Sequence, residues 1–166
     1  MADQPVIRLA RADDCTAVVA CVHAAYDKYT ARIGRPPAPM LADYPALIAR
    51  GVVHVLAQRA TPDLHGLIVL WPVDGAMYVD NVAVHPLHQG RGLGRRLLAF
   101  AEQCARAANL PELRLYTNEA MTDNLAFYRR LEFEETDSRL DEGFARVFLR
   151  KRLDGPTPLL SAILIS

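Results

Sequence analysis

Apolar residues recur along the chain in two patterns, as short runs and as stripes with helical spacing. Short apolar runs bounded by turn residues are typical of strands. Such runs predict strands at residues 6–10, 52–59, 67–71, 76–84, 113–116, 133–136 and 145–152. The turn signals Thr61-Pro62-Asp63 and Asp74-Gly75 join three of these runs through short connections, which predicts antiparallel neighbours.

Apolar positions three and four residues apart predict four helices between these strands. Asp13 and Asp14 supply a cap and a favourable charge for the first helix, and the prolines in residues 36–39 prevent it from continuing. The predicted helices run from Asp13-Asp14 to about Gly34, over 42–50, from the glycines at 90–94 to Ala108, and over 121–131.

The resulting order of elements is β-α-α-β-β-β-α-β-α-β-β. One strand–helix–strand crossover, at residues 76–117, predicts a parallel strand pair, and the short connections elsewhere predict antiparallel pairs. The sequence therefore predicts a mixed sheet with helices, and neither a doubly wound fold nor a pure sandwich.

Length and charge limit the possible functions. A chain of 166 residues fits one domain. The 19 basic and 19 acidic side chains give a formal net charge of 0, which argues against a nucleic-acid-binding protein. Arginine supplies 17 of the basic residues and suits phosphates and carboxylates, although genomic base composition explains the excess more simply.

The cysteines and the hydropathy pattern indicate a cytoplasmic protein without membrane contact. Cys15, Cys21 and Cys104 form no paired motif and have no histidine at metal spacing, so neither a disulfide framework nor a metal site is predicted. The chain shows no signal-peptide pattern and no window of about 20 apolar residues.

The most informative segment joins a predicted strand to a predicted helix through three glycines, at residues 82–96. Glycine lets backbone N–H groups approach a ligand, and the first N–H groups of a helix lack internal partners, so this junction favours phosphate binding. Arg91, Arg95 and Arg96 add donors close by. A ligand-free glycine turn is the alternative, but it explains the three arginines less well.

Two common phosphate motifs do not fit this segment. A Walker loop needs lysine followed by serine or threonine after the last glycine, where this chain has Arg95 and Arg96. A dinucleotide fingerprint needs G-x-G-x-x-G spacing after the first strand of a crossover, whereas the spacing here is G-x-G-x-G after several strands.

Gln89, Gly92 and Gly94 fill the motif Gln/Arg-x-x-Gly-x-Gly/Ala, which resembles that of the GNAT superfamily of acyl-CoA N-acyltransferases. Residues 82–86 resemble the family's central strand with its proline exit, and residues 124–133 resemble its second motif. The resemblance implies an α/β (α+β) GNAT-like fold, with a mixed central sheet of about six to seven strands flanked by about four helices.

One position departs from the family pattern. Glu132 stands where the family usually has glycine, between a helix and the next strand. If that position needs a positive φ, glutamate costs about 1 kcal/mol there.

The resemblance also implies acetyl-CoA as co-substrate, with pantetheine along the central strand and pyrophosphate at the glycine loop. The implied contacts are Val82, Ala83, Val84, Gln89, Gly90, Arg91, Gly92, Leu93, Gly94, Arg95 and Asn124. Tyr128 matches the family tyrosine that acts as the catalytic acid. Taken alone, a tyrosine at this helical spacing is more simply a core residue.

A catalytic base is harder to assign. Asp80 lies two residues before Val82, so strand alternation places both side chains on one face, where a carboxylate can relay a proton through water. A solvated or structural aspartate is an equal alternative.

The acceptor site is expected after the first helix, in a proline-stiffened segment that carries aromatic and arginine side chains. Candidate substrate contacts there are Tyr29, Arg32 and Tyr44, and Glu119 lies where the central strands should diverge. Ordinary packing explains each of these residues at least as well.

These observations predict an N-acetyltransferase that transfers an acetyl group from acetyl-CoA to a primary amine, on a small molecule or a peptide N-terminus. A GNAT-like module that binds acyl-CoA without catalysis, as a sensor, is the alternative. A structural or interaction protein that does not bind CoA is a second rival.

Residues 1–152 are expected to form the acetyltransferase domain of a monomer or homodimer. The remaining residues, 153–166, form an apolar tail with two prolines. This tail is expected to pack on its own domain or on a neighbouring subunit, or to be a frayed end.

Overall fold

The computed structural model describes residues 4–59, 61 and 63–153. Within these residues, seven strands form one sheet in the order β1-β2-β3-β4-β5-β7-β6. The strands are β1 Val6–Leu9, β2 Val53–Ala57, β3 Leu64–Val73, β4 Ala76–Val84, β5 Glu112–Asn118, β6 Glu134–Asp141 and β7 Phe144–Arg152. The helices are α1 Cys15–Ile33, α2 Tyr44–Ala49, α3 Leu93–Ala107 and α4 Thr122–Arg130. The predicted order of elements is confirmed, with bounds that differ by a few residues.

Two apolar layers cover the two faces of the sheet. One layer packs Val18 and Val22 of α1 against strand residues such as Val69. The other packs Leu97 and Ala101 of α3 against Ile68 and its neighbours. Consecutive β3 residues thus enter opposite layers, as expected for a strand that is buried on both faces.

The crossover between β4 and β5 is confirmed as the parallel pair of the sheet. Only Met77 with Leu113 and Tyr78 with Arg114 are in register between these strands. Beyond these pairs β4 continues to Val84 without a partner on this side, so the two strands diverge and leave a gap in the sheet.

Asp80 is the additional residue of a β-bulge in β4. Val69 pairs with Asn81 and Leu70 with Val79, so Asp80 has no register partner in β3. A bulge interrupts strict alternation. Asp80 and Val82 therefore do not follow the simple alternation predicted from their two-residue spacing, although both residues line the same cavity.

The predicted tail at residues 153–166 lies outside the described residues except for Leu153. Leu153 is buried, and its backbone N–H donates a hydrogen bond to the carbonyl oxygen of Pro111 at 2.8 Å. None of the helices in the described part of the chain combines the length and apolar character that a membrane span needs.

Candidate active site

The gap between β4 and β5 exposes the backbone of two β4 residues. The N–H of His85 donates to the carbonyl oxygen of His65 in the neighbouring strand, so His85 turns its backbone groups toward β3. By alternation, Val84 and Val82 turn their backbone groups toward the gap. Their carbonyl oxygens indeed lie next to side chains, with Gln89 Nε2 at 3.0 Å from Val84 O and the Tyr26 hydroxyl at 2.9 Å from Val82 O.

The glycine loop ends at the N-terminus of α3, which is open. Gly92 caps this helix with φ 76°, and Gly90 has φ 79°. No described side chain caps this end, so the first N–H groups of α3 point out without a partner. Gly94 has a different role, because a Cβ there would lie 3.2 Å from Phe127 Cζ of α4. The loop thus combines free N–H groups with close contact between the two helices.

We call the space beside this loop the glycine-loop cleft. It brings together ten of the predicted acetyl-CoA contacts: Val82, Ala83, Val84, Gln89, Gly90, Gly92, Leu93, Gly94, Arg95 and Asn124. Arg91 is the predicted contact that does not line the cleft. Its side chain is exposed and lies beside His88, with Nη1 3.3 Å from Nδ1.

A second space, which we call the Asp80 cavity, lies between β4 and β5, since Asp80 of β4 and Tyr116 of β5 both line it. Its wall includes Asp80, the prolines 37 and 39 of the α1–α2 connection, and Phe144 and Arg146 of β7. Tyr26, Val82, Asn124 and Tyr128 line both spaces. The two spaces therefore meet at these four residues.

Tyr128 lies near the C-terminal end of α4, where the glycine-loop cleft and the Asp80 cavity meet. Its ring packs against Phe133 with the ring centroids 5.5 Å apart. Burial raises the pKa of the Tyr128 phenol, so the hydroxyl keeps its proton at neutral pH. The turn after α4 has the strain predicted for it, because Glu132 has φ 70°.

Asp80 is largely buried, and burial raises the pKa of its carboxyl group. A hydrogen bond from Tyr78 and the charges of Arg146 and Arg50 oppose this rise in part. Among the described residues, Asp80 forms no ion pair within bonding distance. A carboxylate in this position binds a proton more tightly than a carboxylate in water does.

A buried chain of hydrogen bonds supports the place where the two spaces meet. The Tyr26 hydroxyl lies 2.6 Å from Asn81 Oδ1, and Asn81 Nδ2 donates to the Tyr44 hydroxyl at 3.1 Å. Tyr44 in turn donates to the carbonyl oxygen of Pro39 at 2.5 Å. This chain ties the α1–α2 connection, which forms part of the Asp80 cavity, to β4.

The structure places the four predicted substrate contacts in different surroundings, and their role in binding the acceptor stays a prediction. Tyr44 is buried in the core, lines neither space, and is hydrogen-bonded to Asn81 and to the carbonyl oxygen of Pro39. Glu119 is exposed and lies outside both walls. Tyr29 lines the glycine-loop cleft, beside the Tyr26 side chain. Arg32 forms an ion pair with Asp123 at 3.7 Å and also lies outside both walls.

Sequence reasoning did not single out Arg146, Asn81 or Phe144. Arg146 reaches the Asp80 cavity because Asn118 of β5 pairs with it across the sheet. Asn81 faces Tyr26 because of the bulge at Asp80. Neither the long-range register nor the bulge leaves a signal in the hydropathy pattern.

Known proteins with this architecture include several N-acetyltransferases. PaiA N-acetyltransferase from Thermoplasma acidophilum, in complex with coenzyme A, has a TM-score of 0.74 and 17% identity over 92% of this chain and 99% of that chain. The ribosomal-protein-S18-alanine N-acetyltransferase from Escherichia coli has a TM-score of 0.69 and 16% identity over 93% and 97%. YncA from Salmonella typhimurium, with its cofactor acetyl-CoA, has a TM-score of 0.66 and 21% identity over 93% and 97%. At these identities the likeness shows the fold.

The family assignment comes from the sequence match. The family model described as an acetyltransferase (GNAT) domain matches residues 49–135, just over half of the chain. The protein therefore belongs to the GNAT acetyltransferase family. No curated protein matches the sequence significantly.

Proposed function

We propose that the protein is an acetyl-CoA-dependent N-acetyltransferase that acetylates a primary amine by direct attack in a ternary complex. The observation that carries this proposal is that the glycine-loop cleft and the Asp80 cavity meet at Tyr26, Val82, Asn124 and Tyr128. Two reactants held in the two spaces face each other there, and such positioning removes much of the entropic barrier to reaction.

The residues of the glycine-loop cleft fit acetyl-CoA. The backbone of Val82 and Val84 has no partner strand on this side, so its N–H groups match the carbonyl groups of a pantetheine arm, which can bind as an added strand. The open N-terminus of α3 matches a pyrophosphate, because its N–H groups and helix dipole favour anions. Arg95 adds a cation beside these groups. Structures of PaiA and YncA, which share this fold, hold coenzyme A or acetyl-CoA.

The chemistry needs two proton movements. Acetyl-CoA supplies a thioester carbonyl carbon, to which the amine nitrogen bonds as the carbon–sulfur bond breaks. The nitrogen gives up one proton and the sulfur takes one. Asp80 accepts the proton from the amine, directly or through water, and Tyr128 donates the proton to the sulfur.

The structure supports these roles through the protonation states of the two groups. The raised pKa of Asp80 makes it a stronger base than an ordinary aspartate, while the raised pKa of Tyr128 keeps the phenol protonated. The N–H groups of β4 that face the gap can stabilise negative charge on the carbonyl oxygen. The residues of this chain thus supply a base, an acid and a place for the developing charge.

A thiol-release assay with acetyl-CoA over a panel of primary amines tests the proposal. We expect release of free CoA that depends on the amine, and a rise in melting temperature with CoA alone. A ligand at 100 times its Kd adds about 2.7 kcal/mol to the free energy of unfolding, which a melting curve resolves. Stabilisation by CoA without thiol release from any amine would support a sensor, and no stabilisation by CoA would support an interaction protein.

The cytoplasmic location stays a prediction from the sequence, as do the monomeric or dimeric state and the absence of nucleic-acid partners.

A further inference from the structure

The wall of the Asp80 cavity carries two charged residues, and other residues of the protein neutralise one of them much more than the other. Asp80 and Arg146 are the charged side chains among the described residues of its wall. Most of the remaining wall is apolar or aromatic, with Ile33, Leu115 and Phe144 as examples. The two charges differ in how far the protein itself neutralises them.

Arg146 is already neutralised. Its side chain is only 5% exposed, and Nη1 lies 2.7 Å from the carboxylate of Asp141. Nη2 lies 3.5 Å from the carboxylate of Glu142, and the guanidinium also stacks over the Tyr116 ring at 4.1 Å. A third carboxylate brought to this guanidinium would therefore compete with the two resident carboxylates and be repelled by both.

Asp80 is not neutralised in this way. No described residue forms an ion pair with it: the charges of Arg146 and Arg50 act on it only from beyond ion-pair distance, and a hydrogen bond from the Tyr78 hydroxyl leaves its charge in place. A largely buried carboxylate of this kind is stabilised by a cation that enters the cavity. The charge pattern of the cavity therefore favours a cation and disfavours an anion.

We infer that the amine acceptor is a small primary amine with an apolar or aromatic body and without a carboxylate, rather than an amino acid. This inference rests on the proposed acetyl transfer. The amine enters as an ammonium group that lies against Asp80 and releases one proton to water before it attacks, and the apolar walls contact the body of the molecule. Acetylation removes the positive charge, so the product loses its contact with Asp80 and leaves.

Pairs of compounds that share a carbon skeleton test the inference. We would compare 2-phenylethylamine with phenylalanine, and 3-methylbutylamine with leucine, by thiol release and by the thermal stability of the CoA-bound protein. For the wild type, kcat/KM for each amine should exceed that for its amino acid by about tenfold or more, because the carboxylate meets unfavourable charge. The amine should also raise the melting temperature more than the amino acid does.

The Asp141→Asn variant sharpens the test, because it removes the closest partner of Arg146 without touching the proposed catalytic groups. The preference for the amine over the amino acid should then fall by a factor of about three or more. Asp137→Asn is the matched control, since Asp137 lies on the same strand and pairs with the exposed Arg139. It should leave the preference unchanged.

The outcomes separate this inference from the proposed function. An amino acid used as well as the matching amine would overturn the inference and leave acetyl transfer in place. Absence of thiol release with every compound would overturn the proposed function. The melting temperatures would then decide the inference alone, and equal stabilisation by amine and amino acid would contradict it.

Discussion

The glycine-loop cleft and the Asp80 cavity are built on different principles. Backbone groups of one continuous segment, residues 82–95, form much of the glycine-loop cleft. Side chains from α1, the α1–α2 connection, β4, β5, α4 and β7 form the Asp80 cavity. Backbone donors bind a ligand whatever the neighbouring side chains are, so such a site can serve a co-substrate that is common to many enzymes. A cavity of side chains can change with each substrate.

Because the two regions are built differently, substitutions in them should affect different properties of the enzyme. Changes at the glycine loop should alter binding of CoA, and changes around Asp80 should alter the use of the amine. Changes at the residues that line both spaces should alter the chemical step itself. The following predictions test this separation, from the largest expected effect to the smallest.

Tyr128→Phe should give the largest loss, because Tyr128 lines both spaces and is the proposed acid. Loss of a positioned proton donor lowers kcat by about 10²- to 10⁴-fold. The phenyl ring keeps the packing against Phe133, so the Kd for CoA and the melting temperature should change little. Steady-state thiol release and CoA titration measure these quantities. An unchanged kcat would remove Tyr128 from the mechanism.

Asp80→Asn should lower kcat/KM for the amine by about 10²-fold, because the proposed base is lost. In the wild type, kcat/KM should rise with pH through the pKa of Asp80, which lies above the ordinary value of 3.8. The variant should lose this dependence in a pH–rate profile. A profile identical to the wild type would show that another group is the base.

The same variant should be more stable than the wild type at neutral pH. Because burial raises the pKa of Asp80, the folded state holds its proton more tightly than the unfolded state does. The wild type therefore loses stability as the pH rises from the unfolded pKa through the folded pKa, and asparagine avoids this loss. The pKa of aspartate in an unfolded chain is about 3.9. Melting curves should therefore show the gain in stability of the variant at pH 7 and no gain below that pKa.

Gly92→Ala should weaken binding of CoA by about tenfold, because a side chain at positive φ strains the loop that presents the α3 N–H groups. Gly51→Ala is a matched control, since Gly51 also has positive φ, 73°, and open space around its Cα. Both variants should lose about 1–2 kcal/mol of stability through backbone strain. Equal CoA affinity in the two variants would contradict a role for the glycine loop in binding.

Tyr44→Phe should have the smallest effect and should act on the acceptor side. The variant leaves Asn81 Nδ2 and the Pro39 carbonyl without their shared partner, which costs about 1–3 kcal/mol of stability. Because Pro39 borders the Asp80 cavity, KM for the amine should rise several-fold while KM for acetyl-CoA stays constant. A rise in both KM values would show that the two regions are not separable in this way.

The sequence predicts the glycine-loop cleft better than the Asp80 cavity, and the difference has a physical cause. A strand, a glycine loop and a helix N-terminus follow one another along the chain, so local rules place their N–H groups together. Arg91 shows the limit of this reasoning, because its side chain lies by His88 and points away from the cleft wall.

The Asp80 cavity depends on features that are not local. Arg146 lines it only because β7 pairs with β5 in one register, and Asn81 meets Tyr26 only because of the bulge at Asp80. Tyr44 is a polar aromatic residue in the expected segment, yet burial turns it into a support for Asn81. Hydropathy patterns show that such residues belong to helices or strands, but they do not show which partners those residues meet.

The central claim is that both substrates occupy their adjoining spaces at the same time. Initial-rate kinetics test this claim most directly. Thiol release would be measured while acetyl-CoA and an accepted amine are varied together. Direct attack in a ternary complex predicts double-reciprocal lines that intersect. Parallel lines, typical of a covalent acetyl-enzyme formed before the amine binds, would contradict the account.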